Sequence, residues 1–208
     1  VLTLFPYTTL FRSTNGLVDM FFHDTQTGAT TRISVDSAEA QATGGESYAP
    51  ALSADGRYVA FFSTATNLVA GDTNSRPDIF VRDTVAGTTT RVSVASGGTQ
   101  STGFSYTPAI SADGRYVAFQ SSANNLVAGD TNATVDIFIH DTSTSTTTRA
   151  SVAAGGVQAT GGQSFNPSLS ADGRYVAFVS DATNLVTGDT NSTRDSFVHD
   201  TSTGTTTR

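Results

Sequence analysis

Cysteine is absent from the 208 residues, and so is lysine: every basic residue is arginine. Without cysteine there is neither a disulfide framework nor a thiolate metal site, and the redox compartment stays open. The net charge is −7 and no basic stripe interrupts it, which argues against nucleic acid as a partner. No apolar run approaches the length of a membrane span. Glutamate occurs only as Glu39 and Glu46, so the acidity comes from aspartate, almost all of it at fixed places in turns or at strand ends. Charged residues make up only 14%, but with 37% hydrophobic residues the composition suits a packed core, not a disordered chain. Abundant Thr, Ser and Gly beside no Lys or Cys points to an exported bacterial protein, periplasmic or secreted.

What is present is repetition. The nonapeptide Ser-Ala-Asp-Gly-Arg-Tyr-Val-Ala-Phe occurs unchanged at Ser53 to Phe61, Ser111 to Phe119 and Ser170 to Phe178, at intervals of 58 and 59 residues. Such self-similarity marks a repeat architecture. In the copy that starts near Tyr48, Pro50 to Ser53 reads as a first strand. Asp55-Gly56 reads as a tight hairpin turn. Arg57 to Ser63 is a second strand, apolar on both faces and therefore covered on both sides. A long connection, Thr64 to Pro77, leads to a third strand at Asp78 to Arg82. A fourth, Thr88 to Val94, alternates like a half-exposed edge strand. Four short antiparallel strands, buried in the middle and polar at the outer edge, make one propeller blade.

Pro-x-Leu-Ser-x-Asp-Gly-Arg-Tyr-Val-Ala-Phe followed by Asp-Ile-Phe-Val-x-Asp resembles the WD-repeat-like blade of TolB-type propellers, over all of the chain after Ser13. The family's turn usually reads Ser-Pro-Asp-Gly; here Ala54, Ala112 and Ala171 stand at the proline position. The resemblance implies an arc of a ring with the first strand of each blade innermost. Such propellers serve as scaffolds, in envelope complexes and as non-catalytic halves of peptidases, so the fold alone fixes no function. The expected fold class is all-β: about three and a half four-stranded blades in an open arc. Residues 14–46 form a partial blade, 47–105 and 106–163 whole ones, and 164–208 one cut in its fourth strand.

Residues 3–13, TLFPYTTLFRS, are similar to one reading frame of a short-read sequencing adapter. They lack the basic start, longer apolar core and cleavage site of a leader. Residues 1–13 are therefore set apart from the fold and expected to pack poorly or as a stray strand. Thr14, Asn15 and Asp19 align with Thr73, Asn74 and Asp78, and Arg208 aligns with Arg91 and Arg149 in mid-repeat. The expectation is a fragment of a longer reading frame whose further blades lie elsewhere.

The best candidate chemistry is Asp72, Asn74 and Asp78, repeated as Asp130, Asn132, Asp136 and as Asp189, Asn191, Asp195. Alternate oxygen side chains followed by a further Asp suit calcium, with loop carbonyls completing the shell. The bidentate acid and mid-loop glycine of an EF-hand are missing, and a chain of Asx-turns explains the same residues. His23, His140 and His199 share one position of the third strand with Arg82, which marks a polar strand site, not a catalytic base. Gly-x-Ser at Gly45, Gly103 and Gly162 lacks the closing glycine and strand-turn-helix setting of a nucleophile elbow. Gln41, Gln100 and Gln158 read as anchors of a long loop. In an up-down sheet the long loops after strands two and four leave at the same end, and variable binding function usually sits on such loops. The sequence thus favours a non-enzymatic scaffold or interaction module that meets a protein or glycan on its long-loop face. The alternative is the propeller part of a peptidase, hydrolase or lyase.

Overall fold

The computed structural model describes the backbone of residues 2–5 and the whole of residues 13–191 and 193–208. Strand β1 (Leu2–Phe5) precedes β2 (Phe21–Asp24) and β3 (Thr30–Arg32) in a first, three-stranded sheet. A four-stranded sheet follows in the order β4 (Ser47–Leu52), β5 (Tyr58–Ser63), β6 (Asp78–Asp83), β7 (Thr88–Arg91). The next holds β8 (Ser105–Ile110), β9 (Tyr116–Ser121), β10 (Asp136–Asp141) and β11 (Thr146–Arg149). A small pair, β12 (Val152–Ala153) and β13 (Val157–Gln158), bridges to β14 (Ser164–Leu169), β15 (Tyr175–Ser180), β16 (Asp195–Asp200) and β17 (Thr205–Thr207). Every pairing is antiparallel and between sequence neighbours, as in propeller blades. The first strands of successive blades, β4, β8 and β14, touch one another, which puts them on the inside of the arc.

β1 pairs with β2 in the register that second strands use elsewhere: Leu2 faces Asp24 as Tyr58 faces Asp83. Of the stretch set apart in the sequence, Leu2–Phe5 is therefore a strand, while residues 6–12 lie outside the described residues.

The nonapeptide forms the hairpin between first and second strands, and each of its polar residues has a task. Asp55 accepts hydrogen bonds from Ser53 Oγ at 2.6 Å and Arg57 N at 3.0 Å, while Ser53 Oγ accepts from Tyr58 N at 2.9 Å. The Ser53 hydroxyl, first among these bonds, holds the Asp55 carboxyl below its usual range. Arg57 forks onto Asp83, Nη2 to Oδ2 at 2.8 Å, tying the second strand to the end of the third. Ala54 N donates to Ala112 O at 2.9 Å and Ala112 N to Ala171 O at 2.8 Å, linking the turn of each blade to the next. Proline, usual in the family at that position, has no N–H to give. The turn glycine of the following blade lies against the tyrosine: a Cβ on Gly114 would stand 2.1 Å from the Tyr58 ring, and one on Gly173 2.2 Å from Tyr116. The identity of the three copies thus follows from contact between like neighbours.

The core lies between sheets rather than within one. Ala60, Ile79 and Val81 of one blade bury against Val117, Phe119, Leu126 and Phe138 of the next, and Ala118, Ile137 and Ile139 meet Val176, Phe178 and Phe197 in turn. Full burial of one such phenylalanine contributes about 1.5 to 3 kcal/mol. Phe61 and Phe80 stack across the second and third strands at 5.9 Å, as do Phe119 and Phe138 at 6.0 Å.

The fourth strand differs from the expectation. It ends at Arg91, and Val92, Ser93 and Val94 are all buried, not alternately exposed. Val92 N still reaches Ile79 O, but Ser93 turns inward to bond Asp78, and Val94 bridges to Gln100 as the connection folds back. The edge itself is capped. Ser37 Oγ accepts from Thr89 N at 3.0 Å and Ser96 Oγ from Thr147 N at 2.9 Å, each serine coming from the connection that leaves the preceding blade.

Candidate functional site

Loops after second strands and connections after fourth strands gather at one end, as their order requires. The Asp-x-Asn loops lie here, and an arginine sits among them. The side chains of Asp72 and Asp78 are buried, and Arg91 Nη1 lies 3.4 Å from Asp72 Oδ1 and 3.7 Å from Asp78 Oδ2. Arg149 stands likewise 3.2 Å from both Asp130 and Asp136, and Arg208 lies 2.9 Å from Asp189 and 3.2 Å from Asp195. Asn74 directs its amide nitrogen, not its oxygen, at Asp78 Oδ2, 3.2 Å away, and Asn132 and Asn191 do the same toward Asp136 and Asp195. Their oxygens accept instead from Arg76 N, Thr134 N and Thr193 N, the Asx-turn geometry. Ser93 Oγ donates to Asp78 Oδ1 at 2.5 Å. Burial raises the carboxyls of Asp78 and Asp130 above their usual range despite the nearby guanidinium. Among the described residues, no three His, Asp or Glu side chains converge as a metal cluster.

The glutamines are anchors. Gln100 Nε2 donates to Asp72 Oδ1 at 2.9 Å, and Gln158 Oε1 accepts from Arg149 at 2.8 Å. The same loop asparagines and one further set, Asn67, Asn125 and Asn184, complete the arrangement. Asn74 donates to Ser101 O at 2.9 Å from one blade, and Asn125 of the next donates to Gln100 O at 2.8 Å and accepts from Thr102 N at 2.9 Å. Asn15 and Asn67 hold residues 41–43 in the same way, and Asn132 and Asn184 hold residues 158–160.

His140 and His199 line the seams between blades, and His23 meets Thr30 within the first sheet. Thr147 Oγ1 donates its only hydrogen to Val94 O of the preceding blade, so it must accept from His140 Nδ1 at 2.8 Å. The neutral ring is therefore protonated at Nδ1. Thr206, bonded to Val152 O, fixes His199 in the same tautomer. Burial holds both imidazoles below the usual value. In the second blade Arg82 takes the place, reaching Thr89 Oγ1, Gly87 O and Asp36 O, and pairing with Glu39. His140 borders a cleft of about 550 Å³ between the second and third blades, lined also by Tyr58, Val69, Thr90 and Val92.

The serines of Gly-x-Ser are buried in pairs: Ser47 with Ser63, Ser105 with Ser121, and Ser164 with Ser180, at 2.9 to 3.1 Å. The glycines are required by contact, because a Cβ on Gly103 would meet Ala123 N at 2.4 Å and one on Gly45 would meet Thr64 C at 2.3 Å. The motif is a seam between first and second strands.

Repeat reading missed the residues that do not repeat. At the long-loop end of the inner strands, four rings form one ladder. Tyr48 lies 5.4 Å from Phe62; Phe62 meets Tyr106 edge-on at 5.1 Å and 89°; Tyr106 stacks on Phe104 at 6.2 Å and 21°. Arg76 covers Phe104 at 4.5 Å, and the Tyr48 hydroxyl donates to Glu46 at the other end. Phe104 is 40% exposed. Where the ladder has Phe62, the next blades have Gln120 and Val179; where it has Phe104, the equivalents are Glu46 and Gln163. Aligning the copies and asking which positions vary would have found it. Beside it the inner strands carry a bulge. Ala49 and Thr107 take φ of 50° and 48° ahead of Pro50 and Pro108, and Asn166 takes 51° ahead of Pro167.

No family model matches the chain, and no curated protein does. Solved structures do. The fold is similar to TolB from Acinetobacter baumannii, with a TM-score of 0.53 and 19% identity over 92% of this chain and 37% of that one. A putative TolB from Agrobacterium tumefaciens gives 0.58 and 17% over 99% and 60%. Dipeptidyl peptidase 4 of Porphyromonas gingivalis gives 0.53 and 14% over 91% and 28%. The chain thus spans 37% and 60% of the two TolB chains. At these identities the likeness is one of fold: the sheets are blades of a β-propeller in an open arc.

Proposed function

We propose that this chain is the blade array of a non-catalytic propeller that holds a partner, protein or glycan, at the inner rim of its long-loop face. The observation that carries this reading is where repetition fails. The polar residues that recur in every blade bind one another, whereas Glu46, Phe62, Arg76 and Phe104 differ from their equivalents and gather at one rim. A function needs particular residues in particular roles, and residues that differ from their equivalents support this reading. An extracytoplasmic, bacterial setting fits the composition. The propeller half of a peptidase is the second reading, supported by the likeness to dipeptidyl peptidase 4.

For Asp72, Asn74, Asp78 and their equivalents, we propose arginine as the resident cation. Calcium is the alternative that the same oxygens suggest.

The experiment is site-specific photo-crosslinking in cells of the source organism, with the reactive group at position 104 or, as a control on the short-turn face, at Val85, which is 76% exposed. A discrete adduct from position 104 and none from 85 is expected. Adducts from 85 alone would overturn the reading.

A further inference from the structure

Resting on that interaction-module reading, we propose that the ladder Arg76, Phe104, Tyr106, Phe62, Tyr48 is a docking groove for a proline-rich, extended peptide that carries an acidic side chain. Its rings are half-buried to exposed and meet in turn tilted, edge-on and stacked. A polyproline II ligand lays its pyrrolidine rings on such aromatic surfaces at little entropic cost. That helix has no internal hydrogen bonds, so its carbonyls seek donors. The Tyr106 hydroxyl and the Arg76 guanidinium stand beside the rings, and among the described residues no carboxylate pairs with Arg76.

Charge sets the direction. In a chain of net charge −7, Arg76 is an exposed cation at one end of the ladder, and Glu46 is a carboxylate at the other, bound by the Tyr48 hydroxyl. An acidic side chain is drawn to the Arg76 end and repelled from the Glu46 end. Strand addition is the competing way to hold a peptide, and the inner strands oppose it. Pro50 and Pro108 donate no N–H, and the bulges at Ala49 and Thr107 break the edge. A sugar would need several polar side chains around its hydroxyls. Gln120, the register partner of Tyr106, has its amide oxygen taken by Asn166 N at 3.0 Å.

The test is fluorescence anisotropy of the whole chain with labelled peptides of about ten residues. One carries four prolines and one aspartate, one replaces the aspartate by asparagine, and one replaces the prolines by alanine. A soluble malto-oligosaccharide competes in a parallel arm. The acidic proline-rich peptide is expected to bind in the micromolar range and at least tenfold more tightly than the alanine version. Phe104→Ala should weaken it tenfold or more. Arg76→Gln, an exposed change, should weaken it about fivefold and weaken the asparagine peptide clearly less, since that peptide loses only a carbonyl donor and not the charge pair. Equal binding of proline and alanine peptides, indifference to both substitutions, or displacement only by the sugar would overturn the proposal. If the peptides fail while a crosslink from position 104 persists, the interaction-module reading stands and the peptide class is wrong. If both fail, the reading falls with it.

Discussion

Asn74 and Asn125 stand on successive blades and grip one tripeptide, Gln100-Ser101-Thr102, from its two sides. None of the three bonds lies within a strand ladder. The connection between blades is thereby a shared part of both, and blade-to-blade geometry is set by side-chain amides as much as by the apolar core.

Asn125→Ala should therefore destabilise by about 1 kcal/mol, because Gln100 O and the exposed Thr102 N both lose the amide that joins them. Urea unfolding reads the midpoint. Combined with Asn74→Ala the losses should fail to add by about 0.5 kcal/mol or more, since both hold the same segment. Additive losses would mean the two amides act independently.

Gly114 and Gly129 separate two costs of adding a methyl group. Both take positive φ, 76° and 73°, but only at Gly114 would the Cβ collide with the Tyr58 ring. Gly129→Ala should cost about 1 kcal/mol for backbone strain alone. Gly114→Ala should cost clearly more, and Tyr58→Ala in the same chain should recover part of the excess. Equal melting temperatures for the two alanine variants would show that the ring yields freely.

Acid should loosen the seams before it reaches the carboxylates. Burial holds His140 and His199 below their ordinary value of 6.5, so the unfolded chain takes up protons that the folded one refuses. Their contribution is complete above that value and declines as pH falls through it toward the folded-state values. Asp83, held down to about 2 chiefly by Arg57, contributes above its ordinary 3.8 and loses that only on approach to pH 2. The denaturation midpoint should thus drop between about pH 7.5 and 5.5. It should stay level when His140→Gln and His199→Gln are combined; a slope unchanged in that variant would assign the drop elsewhere.

Arg91 lies against the oxygens that calcium would need. Arg91→Ala leaves Asp72 and Asp78 buried without a cation, a loss of about 3 to 5 kcal/mol. Millimolar calcium should raise the melting temperature of that variant and leave the parent chain unchanged. A calcium-dependent rise in the parent, reversed by chelation, would favour the metal over the arginine.

The blades were legible because they depend on local rules. Asp55-Gly56 makes a turn by itself, and a second strand apolar on both faces can only lie between two others. The joints between blades were not legible. Asn125 looks like a loop residue until the chain brings Gln100 to it from the preceding blade. Val92 to Val94 read as an edge strand because alternation shows which residues differ, not which neighbour folds over them. The ladder stayed hidden for another reason: its rings come from three separate segments, and the regularity that revealed the fold draws attention away from positions that break it.

The serine caps run one way along the chain. Ser37 seals the outer strand of the second blade and Ser96 that of the third, each from the blade made before it. A nascent blade emerging from the ribosome thus finds the cover for its sticky edge already folded, whereas the reverse order would leave that edge bare. Synthesis from the N-terminus is then a form of protection against aggregation. Before the fourth blade that position is Ala154, which has no hydroxyl to take the strand's N–H, and there the preceding connection meets the outer strand through Val152 O and Thr206.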